Sequence, residues 1–232
     1  MDIKEAKVII TGGSTGIGYE TAKLLVSKGA SVVICSRNQA VIEKAAQEIG
    51  AIGLAADISI EADVQALFTA ASEKLGGLNV VINNAGIGYI GSLVETSVDN
   101  FTKIWETNVK GAFLVGREAA NHFILQRSGN IVNIASTAGQ KGFAGGTAYC
   151  ASKFAVSAMT ESWRAELRKD NIRVMQVNPS EVVTPFIEKC GFEPTNVASK
   201  LKPSEIAHTI VAMLEMNDIG FITDATVWAT NP

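Results

Sequence analysis

Along the 232-residue chain, short unbroken aliphatic and β-branched runs alternate with longer stretches whose apolar positions recur every three or four residues. Runs of the first kind read as strands buried on both faces; stretches of the second kind read as helices with one buried stripe. "KVIIT" precedes a helix from about Gly16 to Lys28, and "SVVIC" precedes "NQAVIEKAAQEIG". "IGLAA" precedes "IEADVQALFTAASEKLG", and "LNVVIN" leads through a glycine-rich loop to a long helix through Trp105 to Gln126. "GNIVNIAS" precedes "AYCASKFAVSAMTESWRAELRK", "IRVMQVN" precedes "PSEIAHTIVAMLEM", and the last strand reads "GFITDATVWA".

This rhythm predicts an α/β fold: a Rossmann-type, doubly wound parallel sheet with helices on both faces. With no linker, low-complexity tract or repeat beyond the rhythm, residues 1–232 are expected to form a single dinucleotide-binding and catalytic domain. Ligands of such sheets bind where strand order reverses, at the carboxyl ends of the strands. The residues just after each strand therefore carry the functional reading.

Composition narrows the classes. Hydrophobic residues make up 47% and charged residues 19%, which excludes a disordered chain. A net charge of −3 argues against a nucleic-acid partner. No apolar run is long enough to span a bilayer and no apolar signal core follows the start, so no membrane partner is expected and the chain reads as cytoplasmic. Cys35, Cys150 and Cys190 are widely spaced, without a CxxC, so no metal site or disulfide framework is expected.

After the first strand comes "TGGSTGIG", with Gly12, Gly16 and Gly18 spaced G-x-x-x-G-x-G around Ser14, Thr15 and Ile17. Glycines allow a tight turn and close backbone approach to a pyrophosphate, and the helix that opens there offers free N–H groups. A plain glycine turn looks the same in isolation; its place between a strand and a helix favours a dinucleotide. After the second strand stand Ser36, Arg37 and Asn38. A site for an unphosphorylated adenosine ribose places an acid there, whereas a hydroxyl and an arginine suit a 2′-phosphate, so NADP(H) is the expected cofactor. Asp57, followed by Ile58, either caps the next helix or meets the adenine amino group, or both. "NNAGIG" brings Asn84, Ala85 and Gly86 to the floor of the cleft, and Ser136 ends the fifth strand. Tyr149 and Lys153 stand four residues apart, neighbours on one helix face. Taken alone, such a pair is a phenol packed on a lysine stem. Beside the other motifs, it predicts an ammonium that holds the phenol pKa down, toward the operating pH.

Together TGGSTGIG, NNAG, Asn108 in "ETNVKG", Ser136, and Tyr149 with Lys153 resemble the short-chain dehydrogenase/reductase family in its shorter form, from Lys7 to about Thr223. Within it, the chain is most similar to 3-oxoacyl-(acyl-carrier-protein) reductases and related NADPH carbonyl reductases. The resemblance implies that Tyr149 protonates the carbonyl oxygen, Lys153 binds the nicotinamide ribose and tunes the phenol, and Ser136 polarises the carbonyl. It implies that Asn108 holds a water that relays protons through Lys153. Asn84 and Gly86 would border the nicotinamide ribose and Val182 and Thr184 the carboxamide, with Pro179 also in the cofactor site. The expected substrate is a 3-oxoacyl thioester; the alternatives are a small ketone, sugar, pterin or steroid, or a non-catalytic protein that senses NADP(H).

Three features depart from the family pattern. Pro179 is followed by Ser180 where glycine is usual, so the substrate loop is expected to sit differently. Residues 184–202 are few, which suggests a small lid and an open pocket. The end "WATNP" lacks the usual glycine pair, which puts in doubt the tetramer contact made there. A homotetramer or homodimer is still expected, through helices spanning roughly 99–126 and 149–169. Their surplus apolar residues are Phe101, Ile104, Trp105, Phe113, Leu114, Phe154, Val156, Met159 and Trp163. Arg127, Arg168 and Lys169 are candidates for steering an acidic acyl carrier protein, although Asp170 stands beside them. Cys150, His122 and His208 read as packing residues, and Trp105 as core or interface.

Overall fold

The computed structural model describes residues 1–190 and 196–231. One seven-stranded sheet organises them: β1 (Lys7–Thr11), β2 (Ser31–Ser36), β3 (Ile52–Ala55), β4 (Val80–Asn83), β5 (Gly129–Ile134), β6 (Ile172–Pro179) and β7 (Asp224–Val227). The spatial order is β3-β2-β1-β4-β5-β6-β7 and every pairing is parallel. This is the Rossmann-type doubly wound sheet that the alternation predicts. The order reverses between β1 and β4, so the crevice opens at the carboxyl ends of those two strands.

Successive strand residues serve opposite cores, which explains why the strands read as unbroken apolar runs. Val8, Ile10, Val32 and Ile34 pack toward α1 (Gly16–Ser27), α2 (Gln39–Ile49) and, later in the chain, α8 (Pro203–Glu215). Ile9, Val33, Val81 and Ile131 pack toward α3 (Glu61–Leu75), α5 (Ala112–Gln126) and α6 (Thr147–Leu167). Each such side chain, once buried, contributes roughly 1.5–3 kcal/mol.

Three elements differ from expectation. The long helix is interrupted: α4 (Val98–Trp105) passes through a π-helical stretch, Glu106–Gly111, into α5. Asn108 lies in that stretch, with its side chain on the backbone of Ile87, and Gly111 packs so tightly that an added Cβ would lie 2.8 Å from Ile58 Cδ1. A repeat of 3.6 residues carries no mark of such local contacts. The last strand is four residues long, shorter than its apolar run, because β7 is an edge strand: Asp224 and Thr226 face outward and Ile219 and Ile222 are exposed. A short helix, α7 (Pro185–Lys189), follows β6; five residues are too few to show a period.

Candidate active site

The loops after β1 and β4 are stitched together. Thr11 Oγ1 accepts from the backbone N–H groups of Asn84 and Ala85, at 3.0 Å each. Asn84 Nδ2 donates to the carbonyls of Thr11 (2.9 Å) and Gly12 (3.2 Å). Gly12 and Gly16 take left-handed φ angles of 67° and 61°. A Cβ at Gly12 would lie 2.9 Å from Ala85 Cα, and one at Gly18 2.5 Å from the Gly12 carbonyl. Gly13, which the glycine spacing did not single out, is equally confined: its Cβ would lie 2.5 Å from Ile34 Cβ.

This turn leaves the start of α1 open. Thr15 occupies the N-cap position, but its side chain makes no capping bond. The first-turn N–H groups and the positive end of the helix therefore face the crevice without an internal partner. Ser14 is half-buried and Thr15 exposed at this turn, while Ile17 packs into the core beneath it.

At the end of β2, the Ser36 hydroxyl is buried without a hydrogen-bond partner. Arg37 beside it is exposed and makes no ion pair among the described residues. Asn38 caps α2, accepting from Val41 N at 3.1 Å. Asp57 does not cap α3. It accepts from Ser59 N (2.9 Å) and Ser59 Oγ (2.7 Å), Ile60 takes the N-cap position, and Asp63 reaches back to the Asp57 N–H at 3.0 Å. Burial pushes the Asp57 carboxyl up, but the Ser59 bonds and the charges of Arg37 and Lys110 together hold it below its ordinary value. The side chain of Ile58 lies in the core against Gly111.

Ser136, Tyr149, Lys153 and Asn108 meet on the other side of the crevice. The Ser136 hydroxyl accepts from Ala138 N at 3.1 Å and donates to the Pro179 carbonyl at 3.4 Å, and it is near enough to the Tyr149 phenol to lower its pKa. Tyr149 and Lys153 occupy the first two turns of α6. Lys153 is buried, its Nζ donating to the Ile134 carbonyl at 2.9 Å and lying 5.9 Å from the Tyr149 ring centroid. The Asn108 amide bonds to both backbone groups of Ile87, and a Cβ at Gly86 would lie 3.3 Å from Asn108 Oδ1 and 3.7 Å from Lys153 Nζ.

The expected tuning of the phenol is reversed in this structure. Burial pushes the Tyr149 phenol up to about 12; Ser136 pulls against that rise, and Cys190 and Cys150 add to it. Burial also pushes the Lys153 ammonium down to about 8. The cause is the cover over the site: Phe186 of α7 tilts onto the Tyr149 ring with centroids 5.7 Å apart. The i, i+4 spacing shows a cation nearby, but desolvation, which the spacing does not show, sets the direction of the phenol.

Pro179 ends β6, Val182 is buried and bridges to Leu201, and the Thr184 methyl closes on Gly16, 3.2 Å from where a Cβ would stand. Ser180 is absent from the left-handed region, and its N–H donates to the Val227 carbonyl at 2.9 Å. Serine therefore fits this turn without strain. The wall facing Tyr149 went unpredicted. Phe186 and Cys190 approach Gly88, where a Cβ would lie 2.7 Å from Phe186 Cζ, and Ile90 backs onto Gly145 across from Phe143 and Gly146. Glycines in "GIG" and "GG" were the available signal. Residues 191–195 of the expected small lid lie outside the described residues.

Several further expectations meet the structure. Arg127, Arg168 and Lys169 stand at the amino ends of β5 and β6, across the sheet from Tyr149, and Arg127 pairs with Asp170 at 3.6 Å. On the long helices Ile104, Leu114 and Val156 are buried, and Trp163 packs into the core. Phe101, Trp105, Phe113 and Phe154 stay exposed, with Phe101 stacked on Trp105. Cys150 is buried and His122 packs on Phe68, but His208 is exposed.

Residues 6–192 match the family model described as short chain dehydrogenase. Carbonyl reductase family member 4 of Xenopus laevis is 34% identical over 211 residues, 89% of each chain. Among solved structures, a 3-ketoacyl-(acyl-carrier-protein) reductase from Brucella melitensis, complexed with NADH, is 31% identical and superimposes with a TM-score of 0.90 over 96% of both chains. An alcohol dehydrogenase from Thermococcus sibiricus, complexed with 5-hydroxy-NADP, shares the fold at 23% identity and a TM-score of 0.85, over 96% of both chains. The chain belongs to the short-chain dehydrogenase family, whose oxidoreductases act on CH–OH and C=O groups with a nicotinamide cofactor.

Proposed function

We propose that this oxidoreductase reduces a ketone or aldehyde with NADPH, and that Ser136, Tyr149, Lys153 and Asn108 are its catalytic residues. The observation that carries the reading is their convergence beside the uncapped start of α1, at the strand-order switch. The residues present fit the cofactor. The free N–H groups of α1 suit a pyrophosphate, and the glycine cradle leaves backbone bare where a Cβ would collide. The Ser36 hydroxyl and Arg37, both without partners among the described residues, suit a 2′-phosphate, which supports NADPH over NADH. The bound cofactor supplies the hydride.

The chain's own residues manage the proton. The Ser136 hydroxyl orients the carbonyl oxygen, and the Tyr149 phenol protonates it. A phenol held near 12 keeps its proton throughout the neutral range, which suits reduction; the reverse reaction needs the phenolate and is disfavoured there. Lys153 holds the ribose, and Asn108, beside it and Gly86, belongs to the path that returns the proton.

A 3-oxoacyl thioester is the favoured substrate, on the resemblance to the reductase from Brucella melitensis. The aromatic and thiol wall of Phe186, Phe143 and Cys190 suits an apolar chain flanking the carbonyl, and a small ketone is the second reading. Delivery by an acyl carrier protein would not use Arg127, Arg168 and Lys169 within one chain, because they lie at the opposite edge. We further propose one domain over residues 1–232, a cytoplasmic location, and a homodimer or homotetramer joined through Phe101, Trp105, Phe113 and Phe154; no described helix is long and apolar enough to cross a membrane.

The test is NADPH consumption against a panel of acetoacetyl thioesters, simple ketones, sugars and steroids. Turnover with thioesters supports the substrate reading; turnover with ketones alone selects the second. NADPH binding without turnover of any carbonyl overturns the enzyme reading in favour of a sensor.

A further inference from the structure

We propose that Ser152 is a positioning residue for this chemistry, tying the Asn108 amide to α6 beside Lys153. The inference rests on the reading of Asn108 and Lys153 given above. Ser152 is fully buried in α6, between Tyr149 and Lys153 in sequence. Its hydroxyl hydrogen is committed to the Tyr149 carbonyl, at 2.7 Å. Its lone pairs then face the Asn108 Nδ2 group, at 3.0 Å.

The orientation of that amide follows from what each partner can do. The Ile87 N–H can only donate, so the atom 2.8 Å from it is Oδ1. The Ile87 carbonyl can only accept, so the atom 2.8 Å from it is Nδ2. One Nδ2 hydrogen goes to Ile87 and the other to Ser152. Oδ1 keeps one lone pair; a Cβ at Gly86 would lie 3.3 Å from Oδ1 and 3.7 Å from Lys153 Nζ, so both groups border the Gly86 backbone. Ser152 thus completes a bridge between α6, the π-helical stretch and the loop after β4.

The bridge matters because of where Asn108 stands. A π-helical turn is rarer and less self-supporting than an α-helical one, and tends to appear at functional sites. Here the stretch Glu106–Gly111 is held by a side chain reaching outward to Ile87 and Ser152. Removing the serine hydroxyl leaves a buried N–H without a partner and cuts the tie to α6, so that Ile87 alone holds the amide. Among the described residues the Ser152 hydroxyl bonds the Tyr149 backbone carbonyl and the Asn108 amide, and Asn108 is the one of these that reaches the site by its side chain.

The experiment compares Ser152→Ala, Ser152→Thr and Asn108→Ala with the double variant Ser152→Ala/Asn108→Ala. Turnover of a carbonyl that the wild type reduces, NADPH titration and hydrogen exchange over residues 104–112 are measured on each. Ser152→Ala is expected to lower kcat about tenfold, the size of one orphaned buried donor, with NADPH affinity within about twofold. Amides of residues 106–111 should exchange faster. Ser152→Thr, which keeps the hydroxyl, should restore both, and Ser152→Ala should cost nothing more once Asn108 is alanine. If Ser152→Ala does not fold, Ser152→Cys, which fills the space with a weak acceptor, should show the same loss. Unchanged kcat and exchange, or losses that simply add in the double variant, overturn the proposal. If the wild type reduces no carbonyl, the functional reading falls, and the exchange data still decide whether Ser152 orders the stretch around Asn108.

Discussion

The two halves of the sheet build their sides of the crevice from different materials. Around β1, β2 and α1 the site is backbone: glycines pressed against Ala85, Ile34 and each other, with an open helix start. Around β4, β5, β6 and α6 it is buried polar side chain: Asn83, Asn108, Asn133, Ser152, Lys153, Thr160, Gln176 and Asn178 all lie inside, most of them bonded to one another or to backbone. A backbone site tolerates no added atom, and its failures should appear in binding. A side-chain network tolerates size but not lost hydrogen bonds, and its failures should appear in rate.

That contrast is sharpest at Tyr149. Tyr149→Phe removes one oxygen, so NADPH titration should be nearly unchanged. Turnover should fall by about 10²–10⁴-fold, the usual contribution of a general acid. Near wild-type turnover would place the acid elsewhere and blur the division between the halves.

Lys153→Met comes next, because this lysine belongs to both halves; it should lose about a hundredfold in turnover together with NADPH affinity. It also carries a stability signature. Unfolded lysine keeps its proton to about 10.5, whereas folded Lys153 keeps it only to about 8. In that window the unfolded chain binds more protons, so the free energy of unfolding should rise with pH from about 8 to 10.5. Tyr149 works the other way, lowering stability from pH 10 to about 12. Chemical denaturation across this range should show the first rise disappear in Lys153→Met. A rise that survives the substitution assigns it to another group.

Arg37→Ala probes the backbone half through an exposed charge at the end of β2. A screened contact to phosphate at the surface should be worth about tenfold in NADPH affinity, with NADH affinity unaltered. Equal losses for both cofactors, or none, would remove the 2′-phosphate from this corner.

Ser180→Gly should do least. Ser180 is not left-handed, so glycine relieves no strain and adds only unfolded-state freedom, about 0.4–1 kcal/mol of lost stability. A gain in stability or a large change in KM would mean that the turn after β6 is strained after all.

The strands, their parallel pairing and the place of the crevice at the carboxyl ends were legible in the sequence, because burial on both faces writes itself as unbroken apolar runs; the order of the strands came from the structure. Gly12, Gly16, Gly18, Ser136, Tyr149 and Lys153 were legible for a related reason: their neighbours in space are set by a turn or one helical step. What required the tertiary structure were contacts between distant segments. The π-helical turn at Asn108 depends on Ile87 and Ser152, the confinement of Gly13 on Ile34, and the end of β7 on having no strand beyond it. The sign of the Tyr149 shift belongs here too. Local spacing placed a cation near the phenol, but desolvation is summed over everything that covers the pair, and that cover comes from Phe186 and Cys190, more than thirty residues along the chain.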